Sequence, residues 1–265
     1  MIYLVLSIAC STAIYIIFKL FPKYKIDTFQ AIVANYFVAS GFGLWYTTSR
    51  GGGNYTLTEP WWLYAGIVGV LFITLFYIMA MTSQRHGVTV TGIATKMSMV
   101  IPAFFFLIAD PDEKWHIAKL SGIALGVLAV YLTTTSGKRT KKLKLAALTP
   151  IILFVGSGFL DLVLALTEKQ HLGTDAGYRD FVPAPFGIAA LLGTAVILYR
   201  VLFKQERIKL KNILGGLFLG LVNYGSIYFL LRILGSGILD RSGVIPANNM
   251  GVVALSALVG IVFFS

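Results

Sequence analysis

Long apolar stretches recur along the whole chain, and short polar segments separate them. If each stretch is a helix, its apolar residues cover the whole circumference instead of one face at 3.6-residue spacing. That distribution is typical of a helix in lipid. About 20 such residues cross the roughly 30 Å of bilayer hydrocarbon as an α-helix. The pattern therefore predicts an all-α polytopic membrane protein with nine spans: 2–18, 30–48, 61–81, 88–109, 118–135, 145–166, 183–199, 213–231 and 243–264.

Composition supports a membrane protein. Hydrophobic residues make up 57% of the 265 positions, and charged residues make up 12%, about half the fraction in soluble domains. These values argue against a disordered chain and a soluble enzyme, and one cysteine argues against a disulfide scaffold. The net charge of +11 nevertheless needs an explanation.

The positive charge collects on alternate connections between the predicted spans. Odd-numbered connections hold 14 of the 22 basic residues and carry a net charge of +12, whereas the even-numbered connections carry −1. Basic residues mark the cytoplasmic side of a membrane protein. We therefore expect a multi-pass protein of the cytoplasmic (inner) membrane, with its amino terminus outside and its odd-numbered loops in the cytoplasm. The basic run 138–142 then orients the chain, and we expect no nucleic-acid partner.

The second half of the chain resembles the first after a shift of about 150 residues. A shift of 151 aligns Gly69 with Gly220 and Tyr77 with Tyr228. The repeats expected are 1–136, with five spans, and 145–265, with four spans and a tenth apparently missing. Because the second unit begins after an odd number of crossings, it should be inverted relative to the first, as in many secondary transporters.

Residues 102–127 resemble a known family. Pro102-Ala103-Phe104-Phe105-Phe106-Leu107, the acidic cluster 110–114 and the glycine-bearing stretch 122–127 are similar to the EamA unit of the drug/metabolite transporter superfamily. The resemblance implies two inverted five-helix repeats and a transporter of small molecules, not an enzyme. The stretch 251–265 is similar to a second copy that stops before its glutamate.

A fainter similarity concerns the first helix of the small multidrug resistance proteins, in which a membrane-embedded glutamate precedes a lysine by eight residues. At the matching place in this chain Ser11 precedes Lys19, and Asp161 precedes Lys169 in the second half. The resemblance implies that the carboxylate has moved from the first helix to the sixth.

Asp161 and Lys96 are the only charged residues well inside the predicted spans, since Lys119 lies at the edge of span 118–135. An ionised side chain in hydrocarbon is costly, so such residues usually face a cavity or a partner. Both are therefore candidates for binding substrate or a coupling ion. The alternative for each is a structural ion pair or hydrogen bond, and the two residues could pair with each other.

Amides and tyrosines within the spans are weaker candidates for the same site. Interhelical hydrogen bonding is an alternative role for each of them. They are Asn35, Tyr77, Asn223, Tyr224, Asn248 and Asn249. Pro246 precedes the last two and can break its helix beside a cavity. The spacings Gly216–Gly220 and Gly122–Gly126 predict close helix packing rather than function.

These features predict a secondary active transporter that moves a small metabolite or drug-like solute by alternating access, with proton coupling as one option. The partners expected are a small-molecule substrate, the lipid bilayer and protons, with the oligomeric state left open. Histidine spacing indicates no metal site, and no cofactor-binding motif is present. The alternatives are a membrane-embedded lipid-modifying enzyme, which needs clustered catalytic groups at one interface, and a non-transporting scaffold subunit.

Overall fold

All regular structure in the described part of the chain is helical. The computed structural model describes residues 1–53, 59–109, 148–172, 174–236 and 241–264, together with Ser121 and Leu128. The helices are α1 (Ile2–Leu20), α2 (Thr28–Ser49), α3 (Trp61–His86), α4 (Val88–Lys96), α5 (Val100–Ala109), α6 (Thr149–His171), α7 (Asp175–Phe181), α8 (Pro183–Lys204), α9 (Leu210–Leu234) and α10 (Arg241–Phe264). Apart from Ser121 and Leu128, the predicted span 118–135, the acidic cluster 110–114 and the Gly122–Gly126 spacing lie outside the described residues.

Five helical segments are long and apolar enough to cross a membrane: Ile2–Leu20, Trp61–His86, Thr149–His171, Ala176–Lys204 and Leu210–Leu234. They correspond to five of the nine predicted spans and agree with an all-α membrane protein. The segments Val88–Pro102 and Ala247–Val262 are apolar but shorter. Helix α2 has 22 residues, but polar side chains such as Gln30, Asn35 and Ser40 dilute its apolar content.

The predicted span 88–109 is not one continuous helix. Helix α4 ends at Lys96, a 3-10 turn covers Met97–Met99, and α5 begins at Val100. Pro102 accounts for this break because it has no N–H to donate to the carbonyl of Ser98, four residues earlier. Pro246 has no such effect, since α10 is continuous from Arg241 to Phe264. The helix break that the sequence suggested near Pro246 is therefore absent, and a break occurs at residues 96–99.

Glycines bring α2 and α9 into close contact, as the Gly216–Gly220 spacing predicts. A Cβ atom at Gly220 would lie 2.6 Å from the Asn35 carbonyl oxygen. One at Gly216 would lie 2.5 Å from the Ala34 Cβ atom and would also overlap the Ala31 carbonyl oxygen. Only glycine permits this approach of two backbones.

The other main contacts in the described chain join eight helices around the interior. Helix α8 packs against α2 and α3, and α6 packs against α3 and α4. Helix α1 packs against α9 and α10, and α10 also packs against α4. A buried aromatic cluster of Tyr36, Phe72 and Phe186 lies where α2, α3 and α8 meet, and the Tyr36 hydroxyl donates to the Phe72 carbonyl oxygen at 2.6 Å.

A polar network joins the amino-terminal ends of α2 and α9. The Gln30 amide nitrogen donates to Glu206 Oε1 and to the Arg207 carbonyl oxygen, each at 3.1 Å. The Asn212 amide nitrogen donates to Gln30 Oε1 at 2.7 Å, and Asn212 Oδ1 accepts from the Asp27 N–H at 3.0 Å. We call these residues the Gln30 network; it ties α2 to α9 at one end of the bundle.

Candidate functional site

A cavity of about 80 Å³ lies between α1, α3, α4, α6 and α9. Its apolar walls come mainly from α3 and α6, and its polar groups come from all of these helices except α3. The polar lining residues are Ser11, Tyr15, Thr95, Lys96, Ser157, Asp161, Asn223 and Ser226. Among the described residues, Lys96 and Asp161 are the only lining residues with a formal charge, so the structure brings the two strongest sequence candidates to one cavity.

Lys96 lies at the carboxyl end of α4, where the 3-10 turn interrupts the helix. The last carbonyl groups of a helix carry a partial negative charge, which stabilises a cation beside them. The break therefore places the Lys96 ammonium group at the cavity, beside the last carbonyl groups of α4. A continuous helix would have paired these carbonyl groups internally.

Asp161 reaches the cavity because α6 approaches the broken helix closely. Gly158, one turn earlier on the same face, has no side chain where it meets the turn. A Cβ atom at Gly158 would lie 2.8 Å from the Ser98 carbonyl oxygen and 2.8 Å from the Ile101 Cβ atom. The glycine thus lets α6 pack against residues 98–101 and brings the carboxylate of Asp161 toward Lys96.

The two charges attract each other through the cavity without forming a contact pair. Their interaction is electrostatic, and among the described residues no ion pair joins Lys96 to Asp161, since their nitrogen and oxygen atoms do not come within 4.0 Å. Asp161 Oδ2 is buried and has no hydrogen-bond partner in the described part of the chain. The Asn249 amide lies beside this carboxylate, but its Nδ2 atom makes no complete hydrogen bond to any described group.

Tyr15 fixes the wall of the cavity next to Lys96. Its hydroxyl shares a 2.5 Å hydrogen bond with Thr95 Oγ1, and its carbonyl oxygen accepts from Ser83 Oγ at 3.2 Å. These bonds connect α1 with α4 and α3, respectively. The backbone around Lys96 is therefore held in place by buried hydrogen bonds.

Asn223 lines the cavity from α9, and Asn35 holds it there from α2. The Asn223 Nδ2 atom donates to Asn35 Oδ1 at 3.0 Å, and the Asn35 Nδ2 atom donates to the Ile32 carbonyl oxygen at 3.1 Å. Asn223 Oδ1 is buried and has no partner within the residues described. Asn35 thus acts as the interhelical support that the sequence left as an alternative, and Asn223 has a free acceptor at the cavity.

The remaining candidates do not line the cavity. Tyr77 packs its ring edge-on against Phe29, and Tyr224 packs on the rings of Phe42 and Tyr228. Asn248 and Asn249 are buried in α10, where the Asn248 Nδ2 atom donates weakly to Asn249 Oδ1 at 3.4 Å. Of this group only Asn249 approaches the cavity, through its contact with Asp161.

Sequence reasoning missed two kinds of residue. The serines and the tyrosine that line the cavity are too common in spans to stand out, although the similarity to the small multidrug resistance helix places Ser11 at the position that corresponds to Asp161. Glu168, which the sequence placed in a connection, is 2% exposed near the end of α6. Its Oε1 atom accepts from the Tyr178 hydroxyl at 3.0 Å.

In the described ranges, no group of three histidine, cysteine or acidic residues could hold a metal ion.

The chain is similar to a protein of Haemophilus influenzae that is described only as uncharacterized. The two are 25% identical over 275 aligned positions, which cover 98% of this chain and 89% of that protein. No family model and no solved structure matches the chain.

Proposed function

We propose that the protein is a secondary active transporter that moves a small solute across the cytoplasmic membrane by alternating access. The observation that carries this proposal is the cavity, because unlike charges from two separate helices face it and many of its lining positions recur after a shift of about 150 residues. In this proposal the repeats are 1–136 and 145–265, of the drug/metabolite transporter type, with the amino terminus outside.

The lining positions support the repeat. Four positions on α3 line the cavity, and the four positions exactly 151 residues later line it from α9: 72 and 223, 75 and 226, 76 and 227, and 79 and 230. A shift of 150 relates Ser11 to Asp161 and Ile14 to Leu164, and all four line the cavity. A cavity on the two-fold axis of an inverted repeat would have such paired walls.

The helix contacts also support the repeat, because exchanging the two proposed repeats leaves the set of contacts between them unchanged. If α1, α2, α3 and α4 correspond to α6, α8, α9 and α10, then each contact between repeats should occur twice. The contact of α2 with α9 corresponds to that of α8 with α3. The contact of α1 with α9 corresponds to that of α6 with α3, and the contact of α1 with α10 corresponds to that of α6 with α4. Every one of these contacts has its counterpart.

Two glycines occupy matching places in this arrangement. A Cβ atom at Gly69 of α3 would lie 3.0 Å from the Pro185 carbonyl oxygen of α8, and one at Gly220 of α9 would lie 2.6 Å from the Asn35 carbonyl oxygen of α2. The sequence shift of 151 pairs these glycines, and each lets the third helix of one repeat approach the second helix of the other.

The cavity is smaller than the roughly 300–1,000 Å³ of typical ligand pockets, which suits a small solute. Rocking of the two repeats about this site would open it to one side at a time. The Gln30 network would have to part when the end of the bundle at which it lies opens. The charged groups lie in the interior, whereas a lipid-modifying enzyme needs its catalytic groups at a membrane interface.

Asp161 is the group that we assign to coupling. It can hold either a proton or the cationic group of a solute, so the two would compete for one carboxylate. The other titratable groups that face it in the described residues are Lys96 from α4 and Tyr15 from α1. Competition of this kind exchanges protons for solute across the membrane.

The test begins with a screen of a broad solute library for thermal stabilisation of the purified protein, because a ligand that binds the folded state raises its stability. The hits are then assayed for uptake into liposomes with and without a pH gradient. We expect uptake that a pH gradient accelerates and that Asp161→Asn uncouples from the gradient. Gradient dependence that is the same in wild type and Asp161→Asn would remove Asp161 from the coupling role.

A further inference from the structure

The chemistry of the cavity specifies the class of its ligand, and this step rests on the proposed transport function. Lys96 and Asp161 face the same space from α4 and α6, and among the described residues they form no ion pair. Two unlike charges with a purely structural role gain most when they are in contact, because attraction falls with distance while both desolvation costs remain. Because they are not in contact, each charge is free to face a ligand in the cavity instead of the other charge.

Two residues that line the cavity, Asp161 and Asn223, have buried acceptor atoms, Oδ2 and Oδ1, without partners in the described part of the chain. An ammonium group has three N–H donors and no acceptor, so it complements such a pair. The Lys96 ammonium is a donor and complements a carboxylate.

The remaining walls set the size of the ligand. The rings of Tyr15, Phe72 and Phe76 line the cavity, and aromatic faces attract an ammonium group. The volume of about 80 Å³ holds only several water molecules, since one requires about 10–15 Å³. The ligand must therefore join its two charged groups by a short skeleton.

We propose that the cavity binds a compact zwitterion, with its ammonium group at Asp161 and Asn223 and its carboxylate at Lys96. A solute with one charge would leave the opposite protein charge uncompensated away from water, and a neutral solute would compensate neither. The zwitterion is therefore the charge class that offsets both desolvation costs.

The test compares four solutes of similar size: β-alanine as the zwitterion, propionate as the anion, propylamine as the cation and glycerol as the neutral compound. Each is assayed for thermal stabilisation of the purified protein and for counterflow in proteoliposomes. We expect stabilisation and counterflow with β-alanine, and an affinity at least tenfold weaker for the other three.

Two variants make the test specific. Asp161→Asn should weaken β-alanine binding at least tenfold and strengthen propionate binding, because only the Lys96 charge remains. Lys96→Gln should weaken β-alanine binding equally and strengthen propylamine binding. Lys204→Gln, which removes an exposed charge of α8, is the matched control and should change none of these affinities. Loss of a structural ion pair would weaken all ligands together and would not reverse the charge preference.

The outcomes separate the two proposals. Preferred counterflow of propionate, propylamine or glycerol would overturn the zwitterion and leave the carrier intact. The zwitterion proposal would also fail, and the carrier proposal would stand, if none of the four solutes were exchanged but a solute from the broader library were. If folded protein in liposomes exchanges no solute in either assay, the transport function itself fails.

Discussion

Gly158 of α6 lies directly against the carbonyl oxygen of Ser98, so that a Cβ atom at the glycine would be 2.8 Å from that oxygen. This contact joins the helix that carries Asp161 to the turn that follows Lys96. The spacing of the two charges across the cavity therefore depends on a backbone contact and not only on the charged side chains.

Gly158→Ala should destabilise the protein by about 1–3 kcal/mol, the usual cost of forcing an extra carbon into a packed interior. The measurement is thermal unfolding of the purified protein in detergent. Gly66→Ala is the matched control, since a Cβ atom there meets nothing within 4 Å, and alanine in an open helical position stabilises by roughly 0.5–1 kcal/mol. Equal shifts of both variants would show that α6 does not pack this closely.

The hydrogen bond between Asn223 and Asn35 should have a measurable coupling energy. Asn35→Ala, Asn223→Ala and the double variant form a thermodynamic cycle, read by chemical or thermal unfolding in detergent. We expect an interaction energy of about 0.6–1.7 kcal/mol, the range found for buried hydrogen bonds between membrane helices. Additive effects of the single changes would mean that the two amides do not support each other.

Gly69→Ala and Gly220→Ala should behave alike if the repeats are equivalent. Each introduces a carbon within 3.0 Å of a carbonyl oxygen on the neighbouring helix, and we expect each to lower stability by about 1–3 kcal/mol. Thermal unfolding of the two variants beside Gly41→Ala, whose Cβ atom would also meet nothing within 4 Å, makes this comparison. A large cost at one glycine alone would contradict the exchange symmetry of the helix contacts.

An acid moved to the equivalent position should restore coupling. Asp161→Ser should abolish the dependence of uptake on a pH gradient, and the double change Ser11→Asp with Asp161→Ser should recover a substantial part of it. The reason is that Ser11 and Asp161 face the same cavity from helices that the proposed repeat makes equivalent. Uptake by the double variant that ignores the gradient would show that the two positions are not interchangeable.

Single cysteines test the orientation in the membrane. With Cys10 replaced by serine, Tyr24→Cys places an exposed thiol in the connection before α2, and Ser49→Cys places one at the carboxyl end of α2. A membrane-impermeant maleimide should label Ser49→Cys in intact cells and Tyr24→Cys only after permeabilisation, because the basic connections belong in the cytoplasm. The reverse labelling pattern would invert the orientation.

The sequence predicted an all-α membrane protein and the two charged candidates of the site, because both predictions depend only on local composition. Spans are read from apolar length, and an ionised side chain within one needs a cavity or a partner, which drew attention to Lys96 and Asp161. The break at residues 96–99 was harder to predict. Pro102 and Pro246 look equivalent in the sequence, but only Pro102 lies beside a break in its helix.

The polar lining was predictable only in part. Asn35 and Asn223 have the same residue type and similar surroundings in the sequence, yet only Asn223 reaches the cavity. The difference depends on the packing of the helices, since α9 lines the cavity and α2 lies behind it. An apolar pattern that surrounds a helix carries no information about that packing.

The Gln30 network bears on the rate at which the proposed carrier would open at this end. Its bonds are short and local, and they lie at the ends of α2 and α9, where water can replace each partner as the helices separate. Exchange of one hydrogen bond for another costs only about 0.5–1.5 kcal/mol net, far less than exposure of an apolar seam of the same extent. In the proposed transport cycle, this end of the bundle would therefore open by successive exchange of single hydrogen bonds, without one large barrier.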